Sequence, residues 1–236
     1  MTGPDDVVTG LLDRDAELAA VEQALASAVS GRGALLLVEG EAGIGKTRLL
    51  RAAAALAVER GLRVLSARGG ELERELAFGV VRQLLEPPAA ARPELLSGAA
   101  ALAEPALRAG GAEAEDAPAP FAVLHGLYWL TANLATGAAL LLVVDDAHWS
   151  DEPSLRYLDS LARRLDGLPV ALLVATRPNA GGTERGLWGV LAAEPLAELV
   201  RPRPLGEAAV ATLVRRELGR PPEPAFVRAC HEATGG

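Results

Sequence analysis

Eight residues constrain this chain more than any others: Gly40-Glu41-Ala42-Gly43-Ile44-Gly45-Lys46-Thr47, which read G-x-x-x-x-G-K-T. Ahead of them runs Ala34-Leu35-Leu36-Leu37-Val38, a short apolar segment with the character of a fully buried strand. Behind them come Arg48-Leu49-Leu50-Arg51 and an alanine-rich tract of high helix propensity. A glycine-rich turn before an ordinary helix is the alternative, but the order strand, glycine loop, helix is what makes a phosphate-binding loop. Glycines let successive N–H groups curl around an anion, and the helix N-terminus adds partial positive charge. In that reading Lys46 reaches the β- and γ-phosphates and the Thr47 hydroxyl binds Mg²⁺.

The 236 residues suffice for one large domain, or for one domain and part of a second. Half are hydrophobic and only 3% aromatic, so the core must be built from Ala, Leu and Val. A net charge of −8 argues against a dedicated nucleic-acid surface in this segment. Cys230 stands alone, which excludes an internal disulfide and suits a reducing cytoplasm. His125, His148 and His231 have no second ligand at metal spacing, so no zinc site is expected. No apolar run approaches the roughly 18 to 20 residues that cross a bilayer. Asp5 and Asp6 are unlike the start of a signal peptide.

Along the chain, residues 1–10 read as a flexible tail. Leu18, Val21, Leu25 and Val29 recur at helical spacing from Asp15 until Gly31-Arg32-Gly33. After the loop helix stops at Gly61, residues 62–66 form a second strand. A helix around Phe78, Val81, Leu84 and Leu85 should break at Pro87-Pro88, and a weaker one should run from Pro93 to about Ala103. Gly110 to Pro120, rich in Ala, Pro and acid, reads as a mobile loop. Phe121, Leu124, Leu127, Tyr128, Thr131 and Leu134 trace another helical face. Leu140 to Val144 is the most hydrophobic run, followed by Asp145-Asp146. Ser150-Asp151-Glu152-Pro153 signals a helix start, with Leu155, Leu158, Leu161 and Leu165 as its buried stripe. Val170 to Val174 reads as a strand that ends in Ala175-Thr176-Arg177-Pro178. A loop with Gly181-Gly182, a fifth strand near Leu199-Val200, and helices over about 207–218 and 222–233 complete the reading. Continuous Leu and Val strands alternating with helices imply an α/β fold, a parallel sheet covered on both faces.

Leu142-Val143-Val144-Asp145 delivers a carboxylate to the carboxyl edge of the sheet, where Asp145 can hold Mg²⁺. Asp146, one residue on, can orient or deprotonate an attacking water, or can simply cap a turn. Arg177 ends the next strand; a permanent charge with forked donors suits a γ-phosphate sensor, against the alternative of a surface arginine before a proline turn. His148 and Trp149 fall at the rim. Arg163-Arg164 could reach a neighbouring molecule, although a solvated helix end accounts for them better.

Together, Leu12-Asp13-Arg14-Asp15-Ala16-Glu17-Leu18, the loop GEAGIGKTRLL, the block LLLVVDDAHWSDEPSL and the strand ending ATRP resemble the ATPase domain of large ATP-binding LuxR-type transcription regulators. These are relatives of MalT within the STAND class of AAA-like signalling ATPases. The likeness covers about residues 11 to 236, and DDAHWSDEPSL is its specific part. It implies a P-loop NTPase three-layer sandwich with a five-stranded sheet of order 5-1-4-3-2, a domain over 11–203, and the start of a helical lid over 204–236. It implies ATP or ADP with Mg²⁺, an ADP-bound resting form, and ATP-driven self-association triggered by an inducer. By position, Gly40, Glu41, Ala42, Gly43, Ile44, Gly45, Lys46, Thr47, Arg48 and Arg14 contact nucleotide, and Thr47 and Asp145 serve the metal. Lys46, Asp146 and Arg177 carry catalysis. Residues 12–14 would border the adenine, with Asp13 where the pattern usually has Gly. The family's C-terminal helix-turn-helix has no counterpart here, so DNA contact is expected only through a domain this chain lacks. An AAA-type replication or remodelling ATPase is the alternative function, and a small-molecule kinase on the same loop a third.

Overall fold

The computed structural model describes residues 11–108, 119–178 and 187–236. Its strands are β1 (Ala34–Glu39), β2 (Arg63–Arg68), β3 (Leu140–Asp145), β4 (Val170–Thr176) and β5 (Ala197–Val200), all parallel. Their order across the sheet is β2-β3-β4-β1-β5, the expected 5-1-4-3-2 read from the other edge. In register, Glu39 lies beside Thr176 and Arg68 beside Asp145. The carboxyl ends of the strands therefore form one continuous rim.

Alternation along each strand sends successive side chains to opposite faces. Leu35, Leu37, Leu142, Val144, Leu172 and Val174 pack on one side, and Leu36, Val38, Leu141, Val143, Leu173 and Ala175 on the other. Both faces are dry, which is why these strands carry no polar alternation: all seven residues of β4 are buried. Burying one such Leu or Val side chain contributes roughly 1.5–3 kcal/mol. Helices α1 (Asp15–Val29) and α2 (Lys46–Glu59) cover the second face. The first is covered by α3 (Gly79–Ala91), α4 (Glu104–Leu107), α5 (Pro120–Leu134), α6 (Glu152–Ala162) and α7 (Leu187–Ala192). Helices α8 (Glu207–Leu218) and α9 (Pro224–Thr234) bury only Ala209, Val210 and Val227 between them.

Several local expectations are corrected. Strand β2 runs past Ser66 to Arg68, because its main chain pairs with β3 up to Asp145. Pro87-Pro88 does not break α3, which continues to Ala91. Proline's fixed φ is already helical, and the missing N–H groups fall in the last turns, while Ala89 remains packed in the core. The weak helix over 93–103 is instead two 3₁₀ turns, Pro93–Leu96 and Gly98–Ala103, separated by extended Ser97. On α6 Leu158 and Leu161 are fully buried as expected, but Tyr157 joins them in place of Leu155, which is only half-buried. For Tyr157, the burial is matched by a polar partner. Its hydroxyl pairs with Thr131 Oγ1 at 2.7 Å, and Thr131 donates on to the Leu127 carbonyl at 2.8 Å. Burial pushes the Tyr157 phenol pKa well up, so it stays neutral. Pro120, placed at the end of the mobile loop, opens α5. The rest of that loop up to residue 118, the tail over 1–10 and Gly181-Gly182 lie outside the described residues.

Candidate functional site

Loop 40–47 crosses from β1 to α2 at the rim. Gly43 and Gly45 take φ of +85° and +102°, and Gly45 sits at the N-cap of α2. Only glycine adopts such angles without strain. Lys46 is buried, and its ammonium donates to the carbonyls of Gly40 at 2.7 Å and Glu41 at 2.9 Å, closing the loop on itself. Burial lowers its pKa; Arg177 pushes the same way, against the opposing charges of Asp146, Asp145 and Glu41. Thr47 Oγ1 donates to Asp145 Oδ2 at 2.7 Å. Ninety-eight residues apart in sequence, the loop and the tip of β3 meet directly.

Arg14 holds the loop from outside. Its guanidinium, 4% exposed, donates to the carbonyls of Ile44 and Asp13, both at 2.9 Å. Asp13 adopts φ +52°, the left-handed turn that glycine would take more easily. Its carboxylate earns a second use by accepting the Gly206 N–H at 2.9 Å, which ties this segment to the start of α8. Glu41, Ala42 and Arg48 are exposed around the loop.

On the other side of Asp145 the arrangement changes. Asp146 is left-handed at φ +48°, and its N–H donates to Asp145 Oδ1 at 2.9 Å. Its own Oδ2 accepts both Nε of Arg68 at 3.0 Å and Nη2 at 2.7 Å. The Asp146 carboxylate is mostly shielded (14% exposed) while Arg68 is 68% exposed. Gly69 completes the corner: its N–H donates to the Asp145 carbonyl at 2.9 Å, and a Cβ there would come within 2.4 Å of the Asp146 carbonyl oxygen. A cavity of about 570 Å³ opens here, lined by Arg68, Asp146, Trp149 and Arg177 among others. The sequence reading missed Arg68. The signal was available, since a charged residue at a strand's carboxyl end before Gly-Gly sits where α/β sheets place their ligands.

Asp151 frames this flank from behind. Only 2% exposed, it accepts the N–H groups of Ser154 at 2.9 Å, Phe78 at 2.8 Å and Val80 at 3.3 Å. Ser154 Oγ accepts the Val81 N–H at 3.1 Å. The expected cap of α6 thus also caps α3. Neither ring nitrogen of His148 has a hydrogen-bond partner, although both are shielded from solvent. Burial lowers the His148 pKa, helped by Arg177 and Lys46 and opposed by Asp146 and Asp145. Of the two helix-end arginines, Arg163 pairs with Asp159 at 3.1 Å and Arg164 lies over the Tyr128 ring.

The structure therefore brings Lys46, Thr47, Asp145, Asp146 and Arg177 to one stretch of rim. The glycine loop presents main-chain donors at a helix N-terminus, a cradle for phosphate. Among the described residues no three His, Cys, Asp or Glu side chains gather as a metal cage. The hard-oxygen pair Thr47 and Asp145 suits Mg²⁺, which characteristically takes few protein ligands and fills its shell from phosphate and water.

The chain belongs to the AAA ATPase domain family, which matches residues 11–174. An uncharacterized protein of Rhizobium meliloti is 30% identical over 199 residues, 72% of this chain. The chain spans only 19% of that relative's length. Among solved structures, a Walker-type ATPase of Pyrococcus abyssi has a TM-score of 0.55 at 18% identity, over 98% of this chain and 64% of that one. The Orc1 protein of Aeropyrum pernix, in complex with DNA, has a TM-score of 0.54 at 20% identity, over 89% and 50%. AMPPCP-bound DnaA from Aquifex aeolicus has a TM-score of 0.53 at 12% identity, over 97% and 59%. These structures share the fold.

Proposed function

We propose that this chain is the ATP-binding, slowly ATP-hydrolysing switch module of a cytoplasmic LuxR-type transcription regulator, in the MalT-like branch of STAND ATPases. The observation that carries the nucleotide half is the Thr47–Asp145 hydrogen bond of 2.7 Å, which joins the glycine loop to the strand-tip carboxylate. Loop N–H groups and Lys46 bind the β- and γ-phosphates, with Lys46 exchanging its loop carbonyls for phosphate oxygens. Thr47 and Asp145 hold Mg²⁺, which when bound neutralises charge on those oxygens. Asp146 takes a proton from water once its oxygen is free of Arg68. Arg177, on the cavity wall, senses the γ-phosphate.

The regulator half is supported by the DDAHWSDEPSL block and by the relative's length, of which the match covers 19%. The net charge of −8 supports a DNA reader carried elsewhere in such a protein. Likeness to Orc1 and DnaA at 20% and 12% identity is a likeness of fold, and the acidic balance weighs against the replication alternative. Saturating ATP·Mg²⁺, about 100 times Kd, should raise unfolding free energy by roughly 2.7 kcal/mol. Lys46→Ala should abolish that gain. Equal melting shifts in the two proteins would overturn the nucleotide reading.

A further inference from the structure

We propose that Gln83 is a positioning residue for Asp146, acting through Arg68. The turnover part of its test rests on the reading above; the rest stands on geometry alone. The Gln83 side-chain amide bonds the Arg68 main chain in both directions. Arg68 N–H donates to Oε1 at 2.9 Å, and Nε2 donates to the Arg68 carbonyl at 3.1 Å. β2 is an edge strand whose other side pairs with β3, so this amide acts as a one-residue strand partner on the open edge. The Arg68 backbone is therefore fixed from both sides, and its side chain leaves from a set position toward Asp146 Oδ2.

That anchoring matters because Arg68 is largely exposed, and a long side chain in water loses rotamer freedom to hold one geometry. Gln83 lies on α3, whose first N–H groups are taken by Asp151 and Ser154. Asp151 in turn follows Asp146 through a single 3₁₀ turn, Ala147–Trp149. The contacts close a circuit: Asp146 to Arg68, to Gln83, along α3 to Asp151, and back to Asp146. A displacement of α3 moves Arg68 relative to Asp146 and so sets whether that carboxylate oxygen is available to water.

Gln83 is exposed, so Gln83→Ala leaves the core untouched. In nucleotide-free protein, the Arg68 Nε–H resonance should be visible by ¹⁵N NMR as a slowly exchanging signal, assigned by its absence in Arg68→Lys. It should vanish in Asp146→Ala and also in Gln83→Ala. Its persistence unchanged in Gln83→Ala overturns the proposal, whether or not the protein hydrolyses ATP. In turnover assays, Gln83→Ala and Arg68→Ala should each raise kcat about threefold with KM for ATP little changed, and the double variant should match Arg68→Ala alone. Additive effects, or a change confined to KM, would count equally against it. A wild type that neither binds nor hydrolyses ATP would instead sink the nucleotide reading and leave the NMR result to decide Gln83.

Discussion

The two flanks of Asp145 are built on different principles. Toward β1, Lys46 and Arg14 are 6% and 4% exposed and hold loop carbonyls, and Thr47 binds the carboxylate directly. Toward β2, the partner of Asp146 is an arginine 68% exposed, at the wall of a cavity of about 570 Å³. The first flank is packed, so a ligand replaces the Lys46 and Thr47 contacts within a loop whose backbone is already held in place. The second rests on an exposed ion pair, which salt and competing groups can displace. The switch proposed above would use both: a fixed place for phosphate, and a second flank whose geometry can be withheld.

Perturbing the frame behind the β2 flank should have the largest effect. Asp151→Ala uncaps α3 and α6 together and should cost about 3 kcal/mol in urea unfolding, two caps at roughly 1–2 kcal/mol each. A loss below about 1 kcal/mol would mean that those helix ends find other partners, and the contrast between flanks would blur. On the loop side, Asp13→Ala keeps the left-handed turn and loses the Gly206 bond, for a cost of about 1–2 kcal/mol. Asp13→Gly loses the same bond but relieves the turn, and should come out near neutral. Equal costs for the two variants would show that the turn stores no strain.

The smallest effect is on pH dependence. Burial holds the folded-state pKa of His148 below its ordinary value of 6.5, so between those two values the unfolded chain binds more protons. Its contribution therefore favours unfolding as pH falls below 6.5 and is flat above it. His148→Phe should remove that part of the slope in chemical denaturation between pH 7 and 5; an unchanged slope would mean that the imidazole reaches solvent freely.

The loop flank was legible in the sequence because its signals are local. The run from Ala34 to Val38, the glycines and Lys46-Thr47 are contiguous, and the Leu and Val of β3 and β4 announce a sheet buried on both faces. The strand order rested on resemblance, and the topology agrees with it. The β2 flank was only half legible: a charged residue at a strand's carboxyl end before Gly-Gly is a readable signal, but the partner of Arg68 is set only when β2 pairs with β3 and brings it beside Asp146. Gln83 is likewise an ordinary exposed helix residue until α3 docks on the β2 edge. At Pro87-Pro88 the local rule failed because tertiary packing of Ala89 and the nearness of the helix end outweighed it. Tyr157 replaced Leu155 in the core because Thr131, on another helix, supplies its hydroxyl with a partner.

The most direct test of the account is calorimetric titration of ATP, with and without Mg²⁺, into wild type and Asp145→Asn. If the loop and the strand tip share one triphosphate and its metal, Mg²⁺ tightens ATP by at least about tenfold in wild type, about 1.4 kcal/mol, and most of that gain is gone in the variant. The same Mg²⁺-dependent gain in both proteins would contradict it.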